Sequence, residues 1–324
     1  MLFRSHGHHQ NPIHGPQPSR TAWYSKITPA ATGSNPSGQR VLRSTTVLQN
    51  HAISSKRPTV WSMRVATWNL KQALAPRKPL DELWSWAEQE IAPDVAVFTE
   101  ARVPTDGPPP GWSALWVEGG FGKNRRWGTV LAGHNNELVE IGEVRSGLRT
   151  VRLQPTWPAA VRVADVMEAG ERWATVIGLY GLTVNRVGKS CSHGRYSAPR
   201  LLEDLKPLFR SDRRNRIVVA GDFNMWPEDR ATFFDRFGLV DLVDLTAGER
   251  PALEGCSGCN LGSECGHMWT HRNGNSPNAR VQHIDFVLAT EELAREVRHV
   301  YGGIRDFPDA WEVSDHAPVV VDFD

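Results

Sequence analysis

Apolar positions along the chain follow two periods, and the two alternate. Arg64 to Leu70 (RVATWNL) alternates apolar and polar residues and is rich in β-formers, which predicts a strand. Leu80, Leu83, Trp84, Ala87 and Ile91 lie at helical spacing, and Pro93 then stops the helix. Asp94 to Thr99 (DVAVFT) reads as a buried strand, so the unit is strand, helix, strand. Thr129–Ala132, Val161–Val166, Ala174–Tyr180, Ile217–Ala220, Ile284–Leu288 and Val319–Phe323 predict further strands. Arg200–Phe209 and Ala231–Phe237 predict short helices, and Pro104–Gly111 a turn-rich loop. Strands that dominate, with helices at intervals, imply a layered α/β sandwich. No internal repeat of fixed period is visible.

Residues 1–62 break from this pattern. They are rich in Ser, Pro, Gly, Gln and His, carry no sustained apolar period, and are expected to be a disordered tail. Of the 37 Lys and Arg residues, seven fall here, with no Asp or Glu, which leaves 30 basic and 36 acidic residues in 63–324. The formal net charge of +1 therefore averages a basic tail with an acidic body. An acidic body weakens the case for tight nonspecific duplex binding, although metal ligands would account for part of the acidity. His6, His8 and His9 could hold a metal weakly, but a flexible tail is the plainer reading. The Arg- and Ser-rich, acid-free composition also matches an organelle transit peptide, without a clear amphipathic helix. Met63, directly before the first strand, is an alternative start. The expected division is a tail, 1–62, and one domain, 63–324. No run of about 18 apolar residues occurs, so no membrane span is expected. A cytoplasmic monomer is the expectation.

Chemistry-bearing residues gather at the ends of the apolar strands. They are Trp68–Asn69, Thr99–Glu100, Leu179–Tyr180–Gly181, Gly221–Asp222–Phe223–Asn224, His283–Ile284–Asp285 and Ser314–Asp315–His316–Ala317–Pro318. Strand ends hold functional groups on a rigid base. Alone, Asn69 reads equally as a turn residue and Glu100 as a solvated strand end. Asp222 and Asn224, two apart on an extended segment, would point the same way, and a carboxylate beside the apolar run IVVA needs a partner or a metal. An adjacent Asp315 and His316 can serve as metal ligand and general base, and Asp285 could orient a catalytic histidine or simply be salt-bridged.

Taken in order, the set resembles the endonuclease/exonuclease/phosphatase (DNase I-like) superfamily, through its WN, GDFN, IDFVL and SDHAP motifs over about residues 64–324. The resemblance implies a four-layered αββα sandwich, two mixed sheets face to face with helices outside, and a site at one sheet edge. It also implies that Glu100 holds a divalent cation with Asp315 and Asn69 nearby. Such oxygen ligands suit Mg²⁺ or Mn²⁺. Asp222 and Asn224 would position the attacking water, and His316, oriented by Asp285, would act as base or phosphate contact. Tyr180 would touch the phosphate or assist the leaving group. The implied activity is metal-dependent phosphodiester hydrolysis by in-line attack, with nucleic acid as the expected substrate and a small phosphate ester or phospholipid as the alternative. Some branches of the family carry a histidine near the Tyr180 position; here His193 follows in a Gly/Ser-rich loop and reads as solvated.

Two loops stand apart. Cys256, Cys259, Cys265 and His267 could bind a structural Zn²⁺, remain free thiols, or in part form a disulfide. Cys191 stands alone. The loop Gly119–Gly128 sets Lys123, Arg125 and Arg126 beside Trp127, a combination that can grip a nucleic-acid backbone or merely solvate a hairpin.

Overall fold

A computed structural model describes residues 62–72, 78–117, 126–182, 197–225, 234–250, 266–274 and 279–324. The tail up to residue 61, Lys123, Arg125, Cys191, His193, Cys256, Cys259, Cys265 and the first part of the expected helix at Ala231–Phe237 lie outside these residues.

The strands are, in chain order, Met63–Asn69 (β1), Val95–Ala101 (β2), Trp112–Leu115 (β3), Gly128–His134 (β4), Glu137–Glu140 (β5), Glu143–Ser146 (β6), Arg149–Arg152 (β7) and Val161–Glu168 (β8). They continue with Glu171–Tyr180 (β9), Ile217–Asp222 (β10), Leu239–Asp241 (β11), His271–Asn273 (β12), Arg280–Gln282 (β13), Asp285–Thr290 (β14), Val297–Gly302 (β15) and Val319–Phe323 (β16). Two six-stranded sheets form, in the orders β15-β16-β1-β2-β4-β3 and β11-β14-β10-β9-β8-β5. Both mix parallel with antiparallel neighbours: β1 runs parallel to β2 and antiparallel to β16, and β10 runs parallel to β9 and antiparallel to β14.

Strand alternation explains the layering. Val65, Val95, Val97 and Leu131 from the first sheet pack with Val176, Val218, Ala220 and Val287 from the second. On the outer face of the first sheet, Ala66, Trp68, Ala96 and Phe98 meet Leu83, Trp84, Ala87 and Ile91 of the helical segment after β1. On the outer face of the second, Ile177, Val219 and Phe286 meet Leu201, Leu202 and Leu205. The order helix, sheet, sheet, helix is the expected four-layered sandwich.

Two helices depart from expectation in detail. Leu80–Trp86 is α-helical and widens into a π turn over Ala87–Ile91, closed by left-handed Ala92. The helix expected over Arg200–Phe209 is instead an α-helix at Ala198–Asp204 and a 3-10 turn at Leu208–Arg210. Pro207 separates the two, because it has no amide N–H to donate and restricts Lys206 before it.

Candidate active site

The same alternation aims the strand ends into the gap between the sheets. On β10, Val218 and Ala220 face inward, so Asp222 does too. Asp222 lies in register with Tyr180 of β9 on one side and Asp285 of β14 on the other. Three neighbouring strands thus present Tyr180, Asp222 and Asp285 in a single row. Asn69, inward on β1, reaches across from the opposite sheet, and its Nδ2 donates to Asp222 Oδ2 at 2.9 Å.

Glu100 breaks the alternation. By parity with the outward-facing Phe98 it should point out of the sandwich. A register shift between Phe98 and Ala101 and a left-handed backbone at Glu100 (φ 44°) turn it inward. There the Tyr180 hydroxyl donates to Glu100 Oε1 at 2.7 Å. Left-handed backbone at a non-glycine costs about 1–3 kcal/mol and persists only where the surroundings enforce it. Lys71 (φ 52°) and Asn224 (φ 49°) share this conformation, so three of the chain's left-handed non-glycine residues border the site.

Asn224 corrects an expectation. The chain does not stay extended after Asp222; it folds back. The Asn224 amide N–H donates to Asp222 Oδ1 at 2.8 Å, and its Nδ2 donates to Asp222 Oδ2 at 3.1 Å and to the Gly181 carbonyl at 2.7 Å. Asn224 therefore fixes Asp222 rather than projecting beside it.

The last motif is bound to the first. Ser314 Oγ donates to the Asn69 carbonyl at 2.7 Å, and Trp68 Nε1 donates to the His316 carbonyl at 2.9 Å. His316, buried, donates through Nδ1 to Asp285 Oδ2 at 2.8 Å. Asp315 accepts an ion pair from Lys71 Nζ at 2.5 Å.

The electrostatics follow from this crowding. Burial raises the Glu100 carboxyl, opposed by the Tyr180 hydroxyl and by His316. Burial also raises Asp222 well above the usual carboxylate range, and the neighbouring Asp285 adds to it. For His316, burial alone would push the pKa down, but Asp285, Asp222 and Asp315 together overcome it and raise it to about 10.

Ligating atoms of Asp222, Asp285 and His316 lie within 4.8 Å of one another, and Asp285 Oδ1 is buried with no hydrogen-bond partner among the described residues. A buried carboxylate oxygen without a donor is costly unless a cation meets it. The carboxylate oxygens of Asp222 and Asp285, with Glu100 close by, are hard donors that fit a divalent ion, whereas His316, cationic on Asp285, is not a ligand in that state.

Three residues of the site escaped the sequence reading. Lys71 is one. His271 is another: it bridges His316 across the backbone, its ring centroid is 4.4 Å from that of His316, and its Nδ1 meets Gln282 Oε1 at 2.8 Å. Burial and His316 together press its pKa down to about 4. Arg272 is the third; its guanidinium lies 4.7 Å over the Trp311 ring, and its amide N–H donates to the Asp315 carbonyl at 2.9 Å. Of the basic loop, Arg126 is described and exposed, and Trp127 packs edge-on against Tyr180 at 5.3 Å. Of the proposed zinc ligands only His267 is described; its ring stands 5.7 Å from that of His283.

A fold of this kind with motif residues converging at one sheet edge is that of a metal-dependent phosphoesterase class. The family profile of the Endonuclease/Exonuclease/phosphatase family matches residues 66–316, and the chain belongs to that family. Among curated proteins, no sequence matches the chain. Among solved structures, it is similar to the 3'-5' exonuclease NExo from Neisseria meningitidis (19% identity, 81% of this chain and 100% of that one, TM-score 0.54). It is similar to an AP endonuclease from Archaeoglobus fulgidus to the same degree (19% identity, 81% and 99% covered, TM-score 0.54). TDP2 of D. rerio, complexed with a single-strand DNA product, matches at 14% identity with 81% and 99% covered and a TM-score of 0.50. At these identities the likeness is one of fold. No helix among the described residues is long and apolar enough to cross a membrane.

Proposed function

We propose that the domain from residue 63 to 324 is a nuclease that hydrolyses nucleic-acid phosphodiesters by in-line attack of water, with Mg²⁺ or Mn²⁺. One observation carries the reading. Tyr180, Asp222 and Asp285 form a row on three adjacent strands, with His316 on Asp285 at one end and Glu100 on Tyr180 at the other.

Each residue has a role that its surroundings support. Glu100 would hold the divalent ion, with Asn69 and Asp315 at its flank. The ion, when bound, offsets phosphate charge and stabilises developing oxyanions. Asp222, held by Asn69 and Asn224 and raised by burial, takes the proton of the attacking water. His316, kept cationic by Asp285, holds a non-bridging phosphoryl oxygen. Tyr180, fixed on Glu100, stands where it can stabilise the leaving oxygen. Arg272 on Trp311 beside Asp315, and exposed Arg126, offer a backbone grip and a stacking face at the rim. Two of the similar structures hold DNA products, a hairpin in one and a single strand in the other, which favours nucleic acid.

The test is product release with Mg²⁺ from plasmid DNA, abasic duplex, single-stranded DNA, RNA, bis-p-nitrophenyl phosphate, sphingomyelin and inositol phosphates. Nucleic-acid cleavage that His316→Ala lowers by about 10²–10⁴ is the expected result. Cleavage confined to a small phosphate or a lipid would transfer the same site to that substrate. Activity indifferent to the substitution would refute the site.

A further inference from the structure

We propose that Lys71 is a built-in cation of the active site: its ammonium, seated on Asp315, contacts the substrate's phosphoryl group, and Asp315 serves that ammonium rather than a metal ion. The inference rests on the phosphoesterase reading above and narrows it to a single divalent ion.

Placement is the first reason. The Leu70 and Gln72 amides donate to the carbonyls of Thr99 and Glu100, both at 2.9 Å, so Lys71 sits on a segment fastened alongside Glu100. The Lys71 amide donates to Asn69 Oδ1 at 2.8 Å, which holds the residue in its left-handed turn. From there the side chain crosses to Asp315, next to His316. A lysine serving only as a surface ion pair gains little from such a backbone, since exposed pairs contribute about 0–1 kcal/mol.

Coordination is the second. An ammonium has three N–H donors. Among the described residues Asp315 is the acceptor the Lys71 ammonium meets, and the side chain keeps 21% of its surface open. Among the described residues two donors are therefore left without an acceptor, and a substrate anion can take them.

Charge is the third. Glu100, Asp222, Asp285 and Asp315 crowd one site, each acting electrostatically on His316 or being acted on by it. Counted ionised, they carry four negative charges. His316 and Lys71 supply two positive charges, and one divalent ion supplies the remaining two. With Asp315 committed to Lys71, a second ion would have to do without that carboxylate and would overcharge the cluster.

The test uses the full chain, with Mn²⁺ and inorganic phosphate as probes. Electron paramagnetic resonance of free Mn²⁺ should count one ion per chain in the wild type, still one in Asp315→Asn, and none in Glu100→Gln. With Mg²⁺ present, Lys71→Met should weaken phosphate binding at least about tenfold, measured by calorimetry. Lys71→Met leaves a carboxylate without its partner, so the double variant Lys71→Met/Asp315→Asn is run beside it. That variant should recover the urea midpoint while phosphate binding stays weak. Two Mn²⁺ ions, one of them lost in Asp315→Asn, would overturn the inference. So would wild-type phosphate affinity in the double variant, which would make Lys71 a structural tie only. A wild type that binds neither Mn²⁺ nor phosphate would sink the reading of the whole site, an outcome distinct from either.

Discussion

Gly181→Ala should damage the enzyme far more than its size suggests. Gly181 follows Tyr180 at the end of β9, and its amide donates to the Asp222 carbonyl at 2.6 Å. A Cβ at this position would stand 1.9 Å from the Phe223 carbonyl oxygen and 2.4 Å from the Phe223 carbonyl carbon. Real Cβ contacts essentially never fall below 3.0 Å, so one chain must retreat by about 1.1 Å. The obstacle is backbone, not a side chain that can swing away. Phe223 is also fully buried, packed edge-on against Phe234 and Phe286. The displacement therefore falls on Asp222 and Asn224, on either side of Phe223. Overpacking of this kind costs about 1–3 kcal/mol, to be read from urea unfolding. A shift of about 1 Å in a positioning group costs about 10²-fold in rate. Gly142, where an added Cβ would meet nothing within 4 Å, is the control, and Gly142→Ala should leave both quantities unchanged. Steady-state cleavage of the preferred substrate at saturating Mg²⁺ reads the rate. Gly181→Ala with wild-type kcat/KM would show that the seam between β9 and β10 does not set the position of Asp222.

Four further outcomes are expected. Trp68→Phe removes the indole N–H that donates to the His316 carbonyl and should cost about 1–3 kcal/mol in urea unfolding, with kcat falling as the His316 loop loosens. Asp165 is buried far from the site and is gripped by Arg213 at 2.8 Å and by the Thr175 hydroxyl at 2.5 Å; Asp165→Ala should cost about 3–5 kcal/mol while kcat at low denaturant is retained. Chelation by EDTA should abolish cleavage and Mg²⁺ or Mn²⁺ restore it, and Glu100→Gln should lower the rate by about 10²–10³ at any metal concentration.

The sequence disclosed the sandwich because its central strands are buried on both faces. VAVF, IVVA and FVLA are continuous apolar runs that only a two-sided strand tolerates. It hid β3, β5, β6, β7, β11, β12, β13 and β15, short or partly exposed strands such as Glu137–Glu140 that carry no long apolar run. At the site, the motif residues were legible singly, since each ends, begins or shortly precedes an apolar strand. Their row was not: the register that sets Tyr180 beside Asp222 and Asp285 joins strands remote in sequence. Glu100 was found by its motif although its inward aim depends on a bulge that no local pattern announces. Lys71 and His271 stayed invisible because their meaning comes from residues 315 and 316, and in the sequence each is an ordinary polar residue after a strand or within a loop.

The strand that comes last in the chain is an interior one. β16 lies between β15 and β1, pairing Phe323 with Met63 at one end and Val319 with Thr67 at the other. A chain emerging from the ribosome must therefore hold its first sheet open, with the edge of β1 unpaired, until residues 319–323 are released. His316 reaches Asp285, and Ser314 reaches Asn69, only in that closing step. Until then His316 and Asp315 are not held against the rest of the site, and loss of residues 319–323 would remove an interior strand of that sheet, not trim its border.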